Sequence, residues 1–313
     1  MNEVPDKILS WLRLVRLPNL FTVPGDAWAG YAVAALLESV RWSAADMVLT
    51  GLAMVLAYAG GLIQNDLVDE AEDRKKGRME RPLVSGRISR RSAVFGVILA
   101  WLCGLFLMWA VGGVKMVLPF GLLLAMVSLY NVVLKPRSDV LASAGMGSCR
   151  ALSFLLGAGV VGGLHPVWFV LAFWLGVYVV GFTWIARNET STQVVGRLDA
   201  MRPTGAMAGL FLTALIVNVI LGDVFFVLPA LLLAFVTLAF CGYLGEILMN
   251  RGQSVSPATV QRTVGMFIRV LLPVQSVLML FFCRGWGEFA LALVPLVVGV
   301  PLAVWGARRF YAS

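Results

Sequence analysis

The sequence predicts an all-α fold, a polytopic helical bundle that spans a membrane. Its residues are 60% hydrophobic and only 13% charged, and a soluble domain of this length does not bury that much apolar surface. Apolar runs of about 20 residues, the length that crosses a bilayer as a helix, recur along the chain. These runs are continuous rather than alternating, and an open strand leaves its backbone unsatisfied in hydrocarbon. We therefore expect helices surrounded by membrane lipid.

The apolar runs predict ten spans within a single integral membrane domain that covers residues 1–313. No soluble domain or low-complexity linker interrupts them. In chain order the spans lie near residues 20–38, 47–64, 92–112, 115–134, 140–162, 166–186, 206–221, 224–244, 264–283 and 288–306.

The distribution of lysine and arginine predicts which side of the membrane each connection faces. With the amino terminus inside, the outer connections hold only Arg41, Lys115 and Arg284, and the other basic clusters fall inside. This positive-inside pattern favours an even number of spans. We expect a bacterial-type cytoplasmic membrane, with the functional site facing the cytoplasm. Because topology accounts for the net charge of +8, the charge predicts no nucleic-acid partner.

Cysteine and histidine do not indicate a metal site. Cys103, Cys149, Cys241 and Cys283 occur singly in or beside apolar runs, as buried small side chains do. His165, the one histidine of the sequence, precedes a proline in an outer connection. A zinc site or a histidine base is therefore not expected.

The acids concentrate directly after the second apolar run. Asp66, Asp69 and Asp73 follow Asn65 at intervals that place three carboxylates on one helix face. Such carboxylates repel one another unless a divalent cation or several bases compensate them. Three bases come next, and they can hold the anion that such a metal also binds: Arg74, Lys75 and Lys76. This combination indicates diphosphate chemistry at a membrane surface, and a solvated, charge-balanced loop is the plainer alternative.

A second polar stretch with turn residues follows the acids. It contains Arg78, Arg81 and the sequence Pro-Leu-Val-Ser-Gly-Arg at residues 82–87. We expect it to form a loop that folds back over a site. Asn65 and Asp66 end an otherwise apolar run, where unpaired polar groups are costly, and this favours a site over a solvated loop.

These residues resemble the first aspartate-rich motif of the UbiA-type membrane prenyltransferases. The matching positions are Asn65, Asp66, Asp69 and Asp73, followed by Arg78 and the Arg-Pro-Leu-x-x-Gly-x-Ile-Ser stretch at residues 81–89. Residues 16–20 are similar to the start of such enzymes. The resemblance covers most of the chain as a pattern of spans, and its specific motifs lie in the first third.

The resemblance implies a magnesium-dependent prenyltransferase built around a central cavity. In that family an isoprenyl diphosphate enters from the bilayer, aspartate-bound Mg²⁺ holds its diphosphate, and a small acceptor captures the allylic carbocation. Asp66, Asp69 and Asp73 would then be catalytic and bind the metal, since hard oxygen ligands suit magnesium. Fixed positive charge stabilises a departing anion. The residues implied to bind the diphosphate in this part of the chain are Asn65, Arg16, Arg74, Lys75, Arg78 and Arg81.

The sequence departs from the family pattern at the second acidic motif, after the sixth span. Residues 187–189 read Arg-Asn-Glu, with one acid where the family has two or more aspartates. By resemblance, Glu189 is a candidate catalytic metal ligand, and Arg187, Asn188 and Arg197 are candidates to bind the diphosphate. Asp199 is a more remote candidate. The stretch also echoes the first motif, which predicts two related helix ends that face one cavity.

Two ionisable residues lie inside predicted spans. Arg150, within the fifth span, should face the protein interior and have a partner. It is a candidate catalytic residue that reaches the diphosphate or an acidic acceptor, and a structural ion pair is the alternative. Asp26 in the first span poses the same question. Other side chains are candidates for the polar mouth or for cation–π shielding of a carbocation: Tyr130, Asn131, Phe154, Tyr178, Phe182 and Trp184.

The number of spans is a further departure. The family usually has nine spans, against ten predicted here, and the surplus lies after Arg202. The polar stretch 245–262 predicts a cytoplasmic connection, in which Ser256 and Pro257 start a short amphipathic helix on the membrane surface.

Three rival functions remain open at this point. A secondary transporter also has interrupted helices and repeats, although its coupling acids usually lie near the midplane. A phosphotransferase acting on phosphatidyl alcohols also uses metal-bound aspartates, but its Asp-Gly and Ala-Arg arrangement is not found. A catalytically idle homologue is the third, because the second acidic motif is depleted. The acceptor, the prenyl chain length and the oligomeric state are not predicted.

Overall fold

The structure, a computed structural model, describes residues 6–187, 192, 194–222, 225–249 and 254–310. The regular elements of these residues are helices, in agreement with the predicted all-α class. In chain order they are α1 (Asp6–Leu14), α2 (Leu17–Leu20), α3 (Pro24–Leu37), α4 (Ala44–Lys75), α5 (Arg90–Gly112), α6 (Val114–Leu129), α7 (Lys135–Arg137), α8 (Asp139–Val161), α9 (Pro166–Ala186), α10 (Arg197–Leu221), α11 (Val227–Met249), α12 (Pro257–Phe281), α13 (Trp286–Ala292) and α14 (Val300–Phe310).

Ten helical stretches of the described residues are long and apolar enough to cross a bilayer. This number agrees with the ten apolar runs rather than with the nine spans usual for the family that the sequence resembles. Three of the ten are composite. The first joins α2 and α3, the fourth joins α6 and α7 through a π-helical turn at Tyr130–Leu134, and the tenth joins α13 and α14 through another at Pro295–Gly299.

Several helix bounds differ from the predicted ones. Helix α4 continues to Lys75, well past the predicted end at residue 64, so the acidic stretch is helical throughout. The predicted surface helix at Ser256 and Pro257 was wrong. The Ser256 hydroxyl accepts a hydrogen bond from the Thr259 N–H and caps α12, which runs on into the bundle as a spanning helix. Ser-Pro marks the start of long and short helices alike.

Helices α3 and α12 form the centre of the bundle, and 72% of the most apolar stretch of each of these spans is buried by other helices. Helix α8 packs closely on α3. A Cβ added at Gly30 would collide with the Phe154 carbonyl oxygen, and one at Gly157 with the Ala27 carbonyl oxygen. Only glycine permits this approach of two backbones.

The π-helical turn after α6 positions the polar end of the fourth span. Its wider turn is closed by the Lys135 N–H, which donates to the Tyr130 carbonyl five residues earlier. The buried Asn131 amide donates to the Gly61 carbonyl and to Gln64 Oε1, each at 2.9 Å, and so ties this turn to α4. As a result Lys135 lies beside the acidic stretch of α4.

Candidate active site

The acidic face of α4, formed by Asp66, Asp69 and Asp73, lies at the carboxyl end of the helix. Asp66 and Asp73 are buried, with 6% and 3% of their surface exposed, and Asp69 is half-buried. The predicted spacing therefore produces a shared face that points into the protein and not into bulk solvent. Buried carboxylates need compensating charge, and the structure supplies it from three segments.

Arg81 compensates two of the carboxylates at once. Its Nη1 lies 2.9 Å from Asp66 Oδ1 and 3.1 Å from Asp73 Oδ2. Arg78 donates to the other oxygen of Asp73 at 2.9 Å, and Arg16 lies 3.7 Å from Asp66. A single guanidinium nitrogen thus occupies the position between two carboxylates, where a divalent cation would also be attracted.

Asp69 belongs to a second group centred on Lys135. The Lys135 ammonium lies 2.6 Å from Asp69 Oδ2 and donates to Asn65 Oδ1 at 2.8 Å. The Asn65 amide in turn donates to Asp69 at 3.1 Å. The three carboxylates therefore form two adjacent ion-pair groups and do not converge on a single point. The candidate site residues chosen from the sequence did not include Lys135, because the positive-inside pattern already explained it.

The loop after α4 folds back over this face, as the sequence predicts. The Arg78 N–H donates to the Asp73 carbonyl at 3.0 Å, and the Ile88 N–H donates to the Pro82 carbonyl at 3.2 Å. Leu83 and Ile88 are buried against α1 and α4. This apolar anchorage fixes the loop, so Arg78 and Arg81 are held at the carboxylates.

Two adjacent cavities lie beside the cluster. We call the first the mouth chamber, a cavity of about 470 Å³ whose polar lining residues include Asn19, Lys135, Asp139 and Arg187. The second, the apolar chamber of about 110 Å³, extends between α4, α6 and α8 and is lined largely by apolar side chains. The lining residues that the two chambers share are Arg16, Tyr58, Tyr130, Met146 and Arg150.

The acidic face borders these chambers indirectly. Asn65 lines the apolar chamber and Lys135 lines the mouth chamber, and both contact Asp69. Asp66, Asp69 and Asp73 themselves are not among the lining residues. Arg16 and Lys135 are the cations that both line a chamber and contact a carboxylate of this face.

Arg150 has a buried partner, and it also reaches the cavity. Its Nε lies 2.8 Å from Asp26 Oδ2, and its Nη2 donates to the Thr22 carbonyl at 2.9 Å. Gln275 of α12 donates to Asp26 Oδ1 at 2.7 Å. The ion pair considered from the sequence is therefore present, and the same guanidinium lines both chambers.

The structure brings one residue of the second motif to the mouth. Arg187 lines the mouth chamber, with its guanidinium 3.7 Å from the centre of the Trp184 ring. Asn188 and Glu189 lie outside the described residues. Arg197 is exposed at the start of α10 and does not line the chambers, and Asp199 pairs with Arg202 at 2.8 Å.

The bases at the end of α4 lie elsewhere. Arg74 pairs with Glu70 at 3.0 Å, and Arg74 and Lys75 line a separate groove on the outer side of the helix. The structure therefore does not bring these two predicted diphosphate-binding residues to the mouth chamber.

Some of the candidate aromatic residues line a chamber and others do not. Phe182 lines the mouth chamber and Tyr130 lines both chambers. Phe154 is fully buried, and the Tyr178 hydroxyl donates to the Phe267 carbonyl at 2.7 Å. Phe182 and Tyr130 are therefore the two candidates with access to a bound molecule.

The donor set fits a magnesium ion that binds together with a phosphate ligand. Within the described residues no three His, Cys, Asp or Glu side chains are grouped closely enough to hold a metal alone. Mg²⁺, however, usually takes one or two protein carboxylates and completes its shell with water and substrate phosphates. Asp66 and Asp73 share the Arg81 guanidinium as an ion-pair partner, and the buried Asp73 Oδ2 accepts no hydrogen bond from the described part of the chain. These two carboxylates are the matching donors.

The ten apolar spans and their enclosed cavity define an integral, multi-pass membrane protein. The model of the UbiA prenyltransferase family matches residues 27–249. The chain therefore belongs to the UbiA prenyltransferase family. No curated protein is close enough in sequence to match.

Solved structures of low sequence identity share the fold. A UbiA homolog from Aeropyrum pernix K1 has a TM-score of 0.59 at 16% identity, with 83% of this chain and 96% of that chain covered. A structure of digeranylgeranylglyceryl phosphate synthase has a TM-score of 0.53 at 17% identity, covering 91% and 99%. A UbiA homolog from Archaeoglobus fulgidus bound to GPP and Mg²⁺ has a TM-score of 0.51 at 18% identity, covering 85% and 99%.

Proposed function

We propose that this protein transfers an isoprenyl group from an isoprenyl diphosphate to a small acceptor inside the membrane, with Mg²⁺ as cofactor and diphosphate as the leaving group. The observation that carries the proposal is the set of carboxylates, two of them buried, that pair with several bases beside a cavity with a polar mouth and an apolar interior. An isoprenyl diphosphate has the same two-part character. The Archaeoglobus fulgidus homolog with GPP and Mg²⁺ supports the choice of ligand.

Each part of the site has a proposed role. Asp66 and Asp73 hold Mg²⁺, with Asp69 and Asn65 as further oxygen donors, and the bound ion supplies charge neutralisation to the diphosphate. Arg78, Arg81 and Lys135 stabilise the departing anion, with Arg16 and Arg187 at the mouth. Fixed cations of this kind lower the barrier because they are in place before charge develops.

The apolar chamber holds the hydrocarbon part of the donor. Met54, Leu123 and Val127 line it, and apolar walls keep water away from an allylic cation that water would otherwise capture. Arg150 lies where the two chambers meet and is the proposed contact of the acceptor or the diphosphate.

Three elements of the proposal rest on the family resemblance or on the charge pattern. Glu189 is proposed as a ligand of a second metal, with Asn188 and Arg197 as diphosphate-binding residues of that motif. Arg74 and Lys75 are not included, because they line a different groove. The excess of arginine and lysine in alternate connections supports a site that faces the cytoplasm.

Replacing a carboxylate tests the function directly. Asp66→Asn and Asp73→Asn remove charge with little change in size, and we expect diphosphate release to fall by roughly 100-fold or more. Glu72→Gln is the matched control, since Glu72 lies on the same helix but is exposed and paired with Lys76. The assay incubates purified protein with isoprenyl diphosphates of several lengths and a panel of acceptors, with Mg²⁺ present or chelated.

The outcomes separate the rival functions. Diphosphate release that requires Mg²⁺ and is lost in Asp73→Asn but kept in Glu72→Gln supports the transferase. Solute uptake into vesicles that persists in Asp73→Asn, without release of diphosphate by the unmodified protein, would favour a transporter. If the unmodified protein shows neither diphosphate release nor solute uptake with any acceptor tested, an idle homologue is favoured.

A further inference from the structure

A groove on the outer side of α4 is separate from the cavity described above. Its apolar part includes Leu67 and Val68 of α4 and Val132 of the π-helical turn, and its polar part includes four charged residues: Glu70, Arg74, Lys75 and Arg90. It encloses about 760 Å³ and shares no lining residue with either chamber. The groove therefore needs its own explanation.

The groove carries an excess of positive charge that the fold holds in place. Glu70 accepts from Arg74 at 3.0 Å with one carboxylate oxygen and from Arg90 at 2.7 Å with the other. Both guanidinium side chains remain more than 60% exposed. Lys75 has no hydrogen-bonded partner among the described residues and is exposed. One carboxylate thus orients two arginines, and the third cation is uncompensated.

The position of the groove favours a ligand that has both a charged part and an apolar part. Arg90 begins α5 and Lys75 ends α4, so the charged end lies where two spans leave the apolar layer. Val68 and Val132, which also line the groove, are 40% and 53% exposed. A phosphate at the charged end and a hydrocarbon chain along the valines would satisfy both parts. Basic pockets between spanning helices on the cytoplasmic side are suited to anionic lipid headgroups.

We propose that this groove binds the phosphate headgroup of an anionic phospholipid, with Arg74, Lys75 and Arg90 as its ligands. Free phosphate has the same charged chemistry, but it would leave the exposed valines uncovered. The site lies outside the proposed prenyl-transfer machinery, and its test is independent of that activity.

The test measures lipid selectivity of the full-length protein. The protein is reconstituted in phosphatidylcholine vesicles that contain a minor fraction of spin-labelled phosphatidylglycerol, and the immobilised fraction of the label is recorded. Selectivity for phosphatidylglycerol over labelled phosphatidylcholine should fall by about tenfold in Lys75→Gln/Arg90→Gln. Arg308→Gln/Arg309→Gln removes the same charge from the last turn of α14 and should change it less than about twofold.

Two further arms complete the test. Lys75→Gln alone removes no ion pair or side-chain hydrogen bond among the described residues, and a several-fold loss of selectivity with an unchanged melting temperature would support the site even if the double variant misfolds. Excess inorganic phosphate should not release the immobilised lipid. The proposal is overturned if phosphate displaces the lipid, or if the groove variants and the α14 variant lose selectivity equally.

Discussion

Arg81 is the residue on which the geometry of the candidate site depends most directly. One of its nitrogens contacts both Asp66 and Asp73, and only a planar guanidinium offers several donors in a fixed orientation. A lysine would keep the charge but would carry it on a flexible stem. Replacing Arg81 with lysine therefore distinguishes a requirement for positive charge from a requirement for the geometry of the guanidinium.

Arg81→Lys should lower kcat for diphosphate release by about tenfold to 100-fold, because the bridge between the two carboxylates is lost. Arg87→Lys in the same loop makes the same chemical change at an exposed position and should leave kcat unchanged. Steady-state kinetics at saturating Mg²⁺ and isoprenyl diphosphate measure both. Equal kcat values for the two variants would show that Arg81 contributes charge alone.

Lys135 shows what residue-level patterns do not reveal. Its contacts with Asn65 and Asp69 join positions separated by 70 and 66 residues. In the sequence it is one of many bases on the inner side, and topology explains such bases equally well. The preceding Tyr-Asn pair in an apolar run was the available signal, since polar groups at that depth need partners.

At the scale of single helices, the periodicity of α4 explains which of the predicted site residues lie together and which lie apart. Positions 66, 69 and 73 share a face, and the structure places them together. Arg74 lies four residues after Glu70 and pairs with it, as such spacing favours. The proximity of Arg74 in sequence to Asp73 suggested a common site, but consecutive helical residues point about 100° apart.

The helix bounds show the limits of hydropathy. The apolar stretch of α4 ends near residue 64, yet the helix continues because its polar residues form helix-compatible ion pairs. In α12 the first turns are polar as well, so their apolar face was mistaken for a separate surface helix. Hydropathy predicts the part of a helix in lipid and not the part that extends beyond it.

The close contact of α3 with α8 requires glycine at position 157, and this requirement can be tested. Gly157→Ala places a methyl group against the Ala27 carbonyl, and the helices must separate, at a cost of about 2 kcal/mol. Gly121→Ala in α6 meets open space and should change stability by less than about 1 kcal/mol. Thermal unfolding in detergent compares them. A Gly157→Ala protein as stable as the unmodified one would contradict this packing.

At the scale of the whole molecule, one polar network joins three helices across the bundle centre. Asp26 of α3 contacts Arg150 of α8 and Gln275 of α12. Each of these polar side chains would destabilise an apolar interior if it had no partner. The network therefore has a structural role in addition to its position at the junction of the chambers.

The two roles separate experimentally. Asp26→Asn leaves Arg150 without its counter-charge and should lower stability by about 3 kcal/mol. The paired variant Asp26→Leu/Arg150→Met replaces the ion pair with apolar groups and should recover most of the stability but not the diphosphate release. Unfolding and activity are measured on the same preparations. Full activity in the paired variant would show that Arg150 is structural only.

The overall architecture was the most predictable level, because the composition excludes a soluble fold and the alternation of basic and non-basic connections indicates the number of membrane spans. The site was predictable where its residues are consecutive, as in residues 65–81. It was not predictable where partners come from distant helices, as for Asp26 with Gln275, since no periodic pattern reports which helices are neighbours.

The π-helical turn at Tyr130–Leu134 has a consequence for tolerance to deletion. A π turn holds one residue more than an α turn, so removal of Val133 should relax it into regular helix without breaking the span. The Lys135 N–H now donates to the Tyr130 carbonyl five residues earlier, and after the deletion it would close an ordinary α turn on the same carbonyl, so the Lys135 ammonium should stay beside Asp69. Such a shortened protein should insert and melt normally with little change in its KM for the diphosphate, whereas removal of one residue from the regular part of α6 should rotate Lys135 by about 100° relative to the start of that helix and raise KM several-fold.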